Sequence, residues 1–185
     1  MTISTTHLVL VFTFIVIVLM WARVRIFTIQ SSNSMRSSWI YDPIVTIHIV
    51  ETYRLLVLET DKGVVTNEFS LFLYALGFSL FLWSICTTRT LHFAFGENSE
   101  KILTKGPFAV VRHPFYLSYI IIWSSSSLLF NSIILWFTLT FLVAFYICSA
   151  MNEEKVILAS DNSKEYRKYR KNVGMFIPRI ELWKK

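Results

Sequence analysis

Four apolar runs set the terms on which this chain can fold. Residues 8–21, 69–87, 117–130 and 133–150 carry no charged side chain, and about twenty apolar residues are what a helix needs to cross a bilayer. Lipid offers the backbone no water, so each run must satisfy its own N–H and C=O groups, which selects helices. The first run reaches spanning length once His7 and the turn after Trp21 are included. No basic stretch precedes it and no small-residue cleavage site closes it, so it reads as a retained anchor. Composition agrees: 54% of the residues are hydrophobic, too little polar surface to coat a water-soluble sphere.

Residues 40–58 are long enough to span but carry Asp42, His48, Glu51 and Arg54. A charge at mid-membrane costs about 2.5–3.5 kcal/mol, so this segment cannot face lipid all round. His48, Glu51 and Arg54 step by three and share one side of a helix. That side must face protein or a wet cavity, unless the helix lies on the surface. The basic residues decide between these. With five spans, Arg23, Arg25, Arg36, Arg89, Lys101, Lys105, Arg112 and every basic residue after position 150 fall on one side, sixteen of eighteen. Without the second span, Arg23, Arg25, Arg36, Arg54 and Lys62 move outside, against the positive-inside rule. The expectation is an all-α polytopic protein of five transmembrane helices, N-terminus outside and C-terminus cytoplasmic. The net charge of +6 is then a topology signal with some attraction to anionic lipid, and nucleic acid is not an expected partner. Cys86 and Cys148 sit inside apolar runs and are expected to be buried thiols. His7, His48, His92 and His113 are scattered, without metal-ligand spacing, so no structural metal is expected.

The chemistry gathers around Gly106-Pro107-Phe108-Ala109-Val110-Val111-Arg112-His113-Pro114-Phe115-Tyr116. Pro107 and Pro114 break the chain, and Pro114 suits the first position of the helix that follows. Arg112 and His113 thus stand at a helix mouth, where outward N–H groups favour anions. Ser124, Ser125, Ser126 and Ser127 are small and allow close helix packing. A tight Asn131-Ser132 turn makes the last two apolar runs an antiparallel hairpin, bringing Tyr116 beside Glu153. Glu153 and Glu154 would then face the loop holding Glu97, Glu100, Lys101 and Lys105, with aromatic walls from Phe93, Phe95, Phe108, Phe115 and Tyr116. Acids and bases together suit a zwitterionic ligand, and aromatic faces suit an adenine ring or a sulfonium cation. The plainer alternative is two solvated charge clusters at helix ends.

The hinge, the hairpin, Glu153-Glu154, then Tyr166-x-x-Tyr169-x-x-x-Val173 and Ile177-Pro178 resemble the isoprenylcysteine carboxyl methyltransferase family, of which the phospholipid N-methyltransferases are relatives. The resemblance runs from about Leu73 to Pro178. It implies one integral-membrane methyltransferase domain over residues 1–185, with two weakly matched helices in 1–66 and a cofactor-binding core in 67–185. It further implies S-adenosylmethionine in a cytoplasmic pocket formed by the last hairpin and the C-terminal segment. The acceptor would be lipophilic or embedded in the membrane. The family's cofactor contacts fall on Glu100, Lys101, Ile102, Leu103, Phe108, His113, Pro114, Phe115, Tyr116 and Glu153. In physical terms, Glu153 suits the cofactor's ammonium or ribose hydroxyls, His113 and the helix mouth its carboxylate, and Phe108 and Phe115 the adenine. Glu154, Glu51 and His48 are the candidate bases if the acceptor must lose a proton.

Three positions depart from the family pattern. Phe108 replaces a Tyr, Ser118 a Gly, and Ser149 the Arg that meets the substrate carboxylate in prenylcysteine enzymes. Ser160-Asp161-Asn162 also stand where a Phe-Gly precedes the tyrosine pair. The readings kept beside isoprenylcysteine-like methylation are a phospholipid N-methyltransferase and a small-thiol S-methyltransferase. From other classes come a nicotinamide-dependent membrane reductase and a non-enzymatic membrane subunit.

Overall fold

The computed structural model describes residues 4–23, 35–58, 63–95 and 102–179, with side chains for all of these except 35–38 and 89–95. Among these residues six helices follow in order: α1 (Thr5–Ala22), α2 (Met35–Val57), α3 (Asn67–Phe95), α4 (Pro114–Phe130), α5 (Ile133–Leu158) and α6 (Ser163–Asn172). A 3₁₀ turn, Gly106–Ala109, precedes α4. Among the described residues there is no strand, only an isolated parallel bridge between Val111 and Gly174. By length and composition, α1, residues Asn67–Thr88 of α3, and α5 are long and apolar enough to cross a membrane, while α4 is a shorter apolar helix.

The chain divides into two compact units, and α3, α4 and α5 each contribute to both. The first comprises Met1–Leu76 and Ile120–Phe145. Its α1 is apolar on every side, yet only Leu8, Phe12, Ile15, Leu19 and Ala22 are buried. This is a stripe at three- and four-residue steps, the seam of a packed helix. Phe12 meets Tyr53 edge-on at 5.2 Å and Tyr74 at 5.7 Å, while Leu10, Phe14 and Ile17 stay exposed. The serine run does the close packing expected of it. Ser125 and Ser70 each donate a hydroxyl to the other's carbonyl, at 2.9 and 3.2 Å, and Tyr74 shares a 2.7 Å hydrogen bond with Ser126.

On α2, His48 and Glu51 are buried against protein, while Arg54 is exposed. Glu51 accepts two hydrogen bonds from Arg54, at 2.7 and 2.8 Å, and one from Ser132 at 3.1 Å. Buried His48 bonds Thr138 at 2.8 Å and lies against Trp123. Asp42 is paired with Arg23. Asn131, between α4 and α5, has a positive φ of 49°, the left-handed geometry that Asn tolerates and a tight reversal needs.

The second unit comprises Gly77–Tyr119 and Tyr146–Lys185. Gly106, at φ 58°, lies so close to Thr87 that a Cβ there would meet its side chain at 2.6 Å. Helix α6 buries Tyr166 and Tyr169, which form a small core with Val173. The sequence shows this stripe at steps of three and four, the helical signature, inside a run that otherwise reads only as charge.

The thiols are a correction. Cys86 on α3 and Cys148 on α5 are exposed, not buried. A helix apolar all round carries no amphipathic signal to say which face meets protein, so its apolar residues alone could not place them.

Candidate active site

The hinge is strapped to the C-terminal segment by its own backbone. The N–H of Arg112 donates to Gly174 O at 2.9 Å, and that of His113 to Met175 O at 3.2 Å. The guanidinium of Arg112 donates to the carbonyls of Val173 and Arg170, and Tyr169 Oη donates to Phe108 O at 2.5 Å. Gly174 sits where any Cβ would overlap the Ile177 carbonyl, so the segment turns there only because the residue is Gly.

Glu154 lies at the centre of this strap. Its Oε1 accepts from Arg112 Nε at 2.8 Å, with Arg112 Nη2 at 2.8 Å and His113 Nε2 at 3.2 Å, while Arg170 Nε lies 3.4 Å from Oε2. The side chains of Arg112 and Glu154 are 6% and 4% exposed. A buried pair of this kind is weak support for stability as a whole, but removing one partner strands the other. Burial, and after it the charge of Glu154, pushes the Tyr166 hydroxyl up to about 12. Burial likewise raises Tyr169, so both remain proton donors at ordinary pH.

Its neighbour Glu153 is different. Its side chain is 52% exposed; Tyr116 Oη donates to it, and His113 Nδ1 lies 3.5 Å away. The aromatic rings behind it form a continuous series. His113 stacks on Tyr116 at 5.8 Å, and Tyr116 on Tyr146 at 5.4 Å. Tyr119 joins Tyr146 to Phe81, which meets Phe115, and Phe115 meets Phe108 at 6.1 Å. Phe176 also lies against His113, at 6.1 Å.

The hairpin therefore brings together Phe108, His113, Pro114, Phe115, Tyr116 and Glu153, with Glu154 beside them. Ile102 packs on the Tyr166–Tyr169–Val173 core, and Leu103 is half-buried. Glu100 and Lys101 lie outside the described residues, as do the side chains of Phe93 and Phe95. Glu51 and His48 belong to the first unit. The sequence reading aimed the His113 imidazole at a ligand carboxylate, but its two nitrogens face Glu153 and Glu154. Buried Ser118 returns its hydroxyl to Phe115 O at 2.7 Å, and so fits where a Gly was expected. Tyr146, Phe81 and Phe176 were not anticipated. Tyr146 is seven residues before Glu153, two helical turns along the same face of α5, and that spacing was the available signal.

Comparison with curated proteins and with solved structures gave no match. A family model described as phospholipid methyltransferase matches residues 65–160, a stretch that contains the hinge, the hairpin and the glutamate pair and covers more than half of the chain. The chain belongs to the phospholipid methyltransferase family.

Proposed function

We propose that this protein transfers a methyl group from S-adenosylmethionine to the headgroup amine of a membrane phospholipid, at the mouth of α4 and the end of α5. The observation that carries the reading is Glu153, a half-exposed carboxylate held by Tyr116 within the family-matched stretch. The donor set suits the cofactor: a carboxylate for its ammonium or ribose hydroxyls and aromatic faces for adenine and sulfonium. When bound, S-adenosylmethionine supplies a methyl group made electrophilic by its sulfonium. Glu100, Lys101, Ile102, Leu103, Phe108, His113, Pro114, Phe115, Tyr116 and Glu153 are the proposed contacts.

The residues of this chain would act chiefly by orientation, which is worth about 7–11 kcal/mol when nucleophile, carbon and leaving group are aligned. The headgroup ammonium must lose a proton before its nitrogen has the lone pair that forms the new N–C bond. Of the candidate bases, Glu154 is held by Arg112 and His113, Glu51 by Arg54 and Ser132, and His48 by Thr138. These engagements favour a positioning part for Glu154, holding His113 and the C-terminal strap in register.

The five-span reading belongs to the same proposal, as does a single domain with its N-terminus outside and C-terminus cytoplasmic. The 23 residues of α2 extend about 35 Å, enough to cross, and Asp42 and Glu51 both have cationic partners. The 17 residues of α4 extend about 26 Å, close to the hydrocarbon thickness of about 30 Å. Single cysteines at the exposed Val64 and at Lys185, with the exposed Cys86 and Cys148 replaced, should label from opposite faces of the membrane. Labelling from the same face contradicts five spans.

Prenylcysteine is the less favoured acceptor because Ser149 stands where its carboxylate would need a cation, and an unpartnered carboxylate in a membrane pocket is costly. The test uses purified protein, radiolabelled S-adenosylmethionine, and either phosphatidylethanolamine vesicles or farnesylcysteine. Label should enter the phospholipid. Incorporation into farnesylcysteine alone overturns the acceptor, and binding of NADPH without S-adenosylmethionine overturns the class.

A further inference from the structure

Helix α6 carries Arg167, Arg170 and Lys171 at positions i, i+3 and i+4, where like charges repel and destabilise an isolated helix. Two of them are in its last turn, where the helix dipole offsets part of that repulsion. Dipole compensation does not explain the fourth cation. After Gly174 the chain reverses, and Arg179 returns to donate to the carbonyl of Lys171. The result is an open cleft of about 360 Å³ lined by Arg167, Arg170, Lys171 and Arg179. Among the described residues no carboxylate lines it, although Arg170 is also 3.4 Å from Glu154. Four cations from two chain segments border one open depression, and arginine forks match phosphate oxygens in particular. The four residues Ala159–Asn162 separate α6 from α5, a helix of membrane-crossing length. A phosphate at the bilayer surface is therefore the nearest anion in quantity.

We propose that this cleft is a binding site for the phosphate of an anionic membrane lipid, distinct from the methyl-acceptor position. The site does not depend on methyl transfer.

The test is calorimetric titration of the full chain in nonionic detergent with dihexanoyl phosphatidic acid. A parallel titration with inorganic phosphate separates lipid from free anion. Arg167→Ala with Lys171→Ala should weaken lipid binding about tenfold or more, as the loss of charge-assisted contacts implies. Lys155→Ala with Lys164→Ala removes the same charge from exposed positions outside the cleft and should change affinity less than about twofold. Equal weakening by both pairs means general attraction and overturns the site. No weakening by the first pair also overturns it. Inorganic phosphate binding as tightly as the lipid overturns the assignment to a lipid. Circular dichroism and S-adenosylhomocysteine binding, measured on the same variants, separate loss of this site from misfolding and from failure of the proposed cofactor site.

Discussion

Glu51 and Glu153 are both carboxylates on apolar helices, in the first and second units respectively, and their surroundings differ in kind. Glu51 is 6% exposed, and its oxygens are taken by two Arg54 hydrogen bonds and by Ser132. His48 beside it is closed off by Thr138 and Trp123. Glu153 keeps about half of its side chain open and takes one hydroxyl, from Tyr116, with His113 Nδ1 3.5 Å away. A carboxylate has about four lone-pair sites. Those of Glu51 are largely spent within the unit, whereas Glu153 retains capacity for a ligand. Closed polar clusters hold apolar helices together; open ones leave chemistry available.

The largest expected effect comes from Glu154, which is buried in ion pairs although it stands beside the half-exposed Glu153. Glu154→Ala strands a buried Arg112 and should cost about 3–5 kcal/mol, read as a lower Tm in detergent with earlier proteolysis of the C-terminal segment. Glu153→Ala, at a half-exposed position, should cost under about 1 kcal/mol. Equal losses would erase the distinction between the two glutamates.

Glu51→Ala should come next, at about 1.5–3 kcal/mol for lost charge-assisted hydrogen bonds. It falls below Glu154 because the side chain of Arg54 is 52% exposed and water can take up its guanidinium. Affinity for S-adenosylhomocysteine should stay within about twofold of the parent. A large loss of that affinity would move Glu51 out of the closed class.

The smallest effect is a pH dependence. Tyr166 is held neutral in the fold up to about 12, while in the unfolded chain it titrates near pH 10. The unfolded state therefore releases its proton first. Stability contributed by Tyr166 is complete below about pH 10 and is lost as pH rises to about 12, worth about 1–2 kcal/mol at most. Denaturant titrations at pH 9 and pH 11 should fall further apart for the parent than for Tyr166→Phe. An unchanged pH slope in the Phe variant would contradict burial of that hydroxyl.

Much of this was legible in the sequence because a membrane chain speaks in long runs. The apolar segments gave α1, α3, α4 and α5, and Asn131-Ser132 gave the turn that sets Tyr116 against Glu153. The charges of α2 gave its protein-facing side without naming the partners, since Ser132 and Thr138 are more than 80 residues away in sequence. What stayed hidden was orientation within uniformly apolar helices. Cys86 and Cys148 proved exposed, with nothing in their neighbours to mark the face they occupy. The strap was hidden for another reason. Arg112 reaches Arg170 and Val173 through backbone carbonyls, which every residue has, so no side-chain pattern announces it.

The central claim is that the open carboxylate holds the cofactor and the closed one does not. The most direct measurement is calorimetric titration of S-adenosylhomocysteine into the parent, Glu153→Gln and Glu51→Gln proteins, each first shown to be folded. Glu153→Gln should weaken binding about tenfold or more, the worth of a charge-assisted hydrogen bond, while Glu51→Gln stays within about twofold. Parent-like affinity in Glu153→Gln, or a greater loss in Glu51→Gln, would contradict the account.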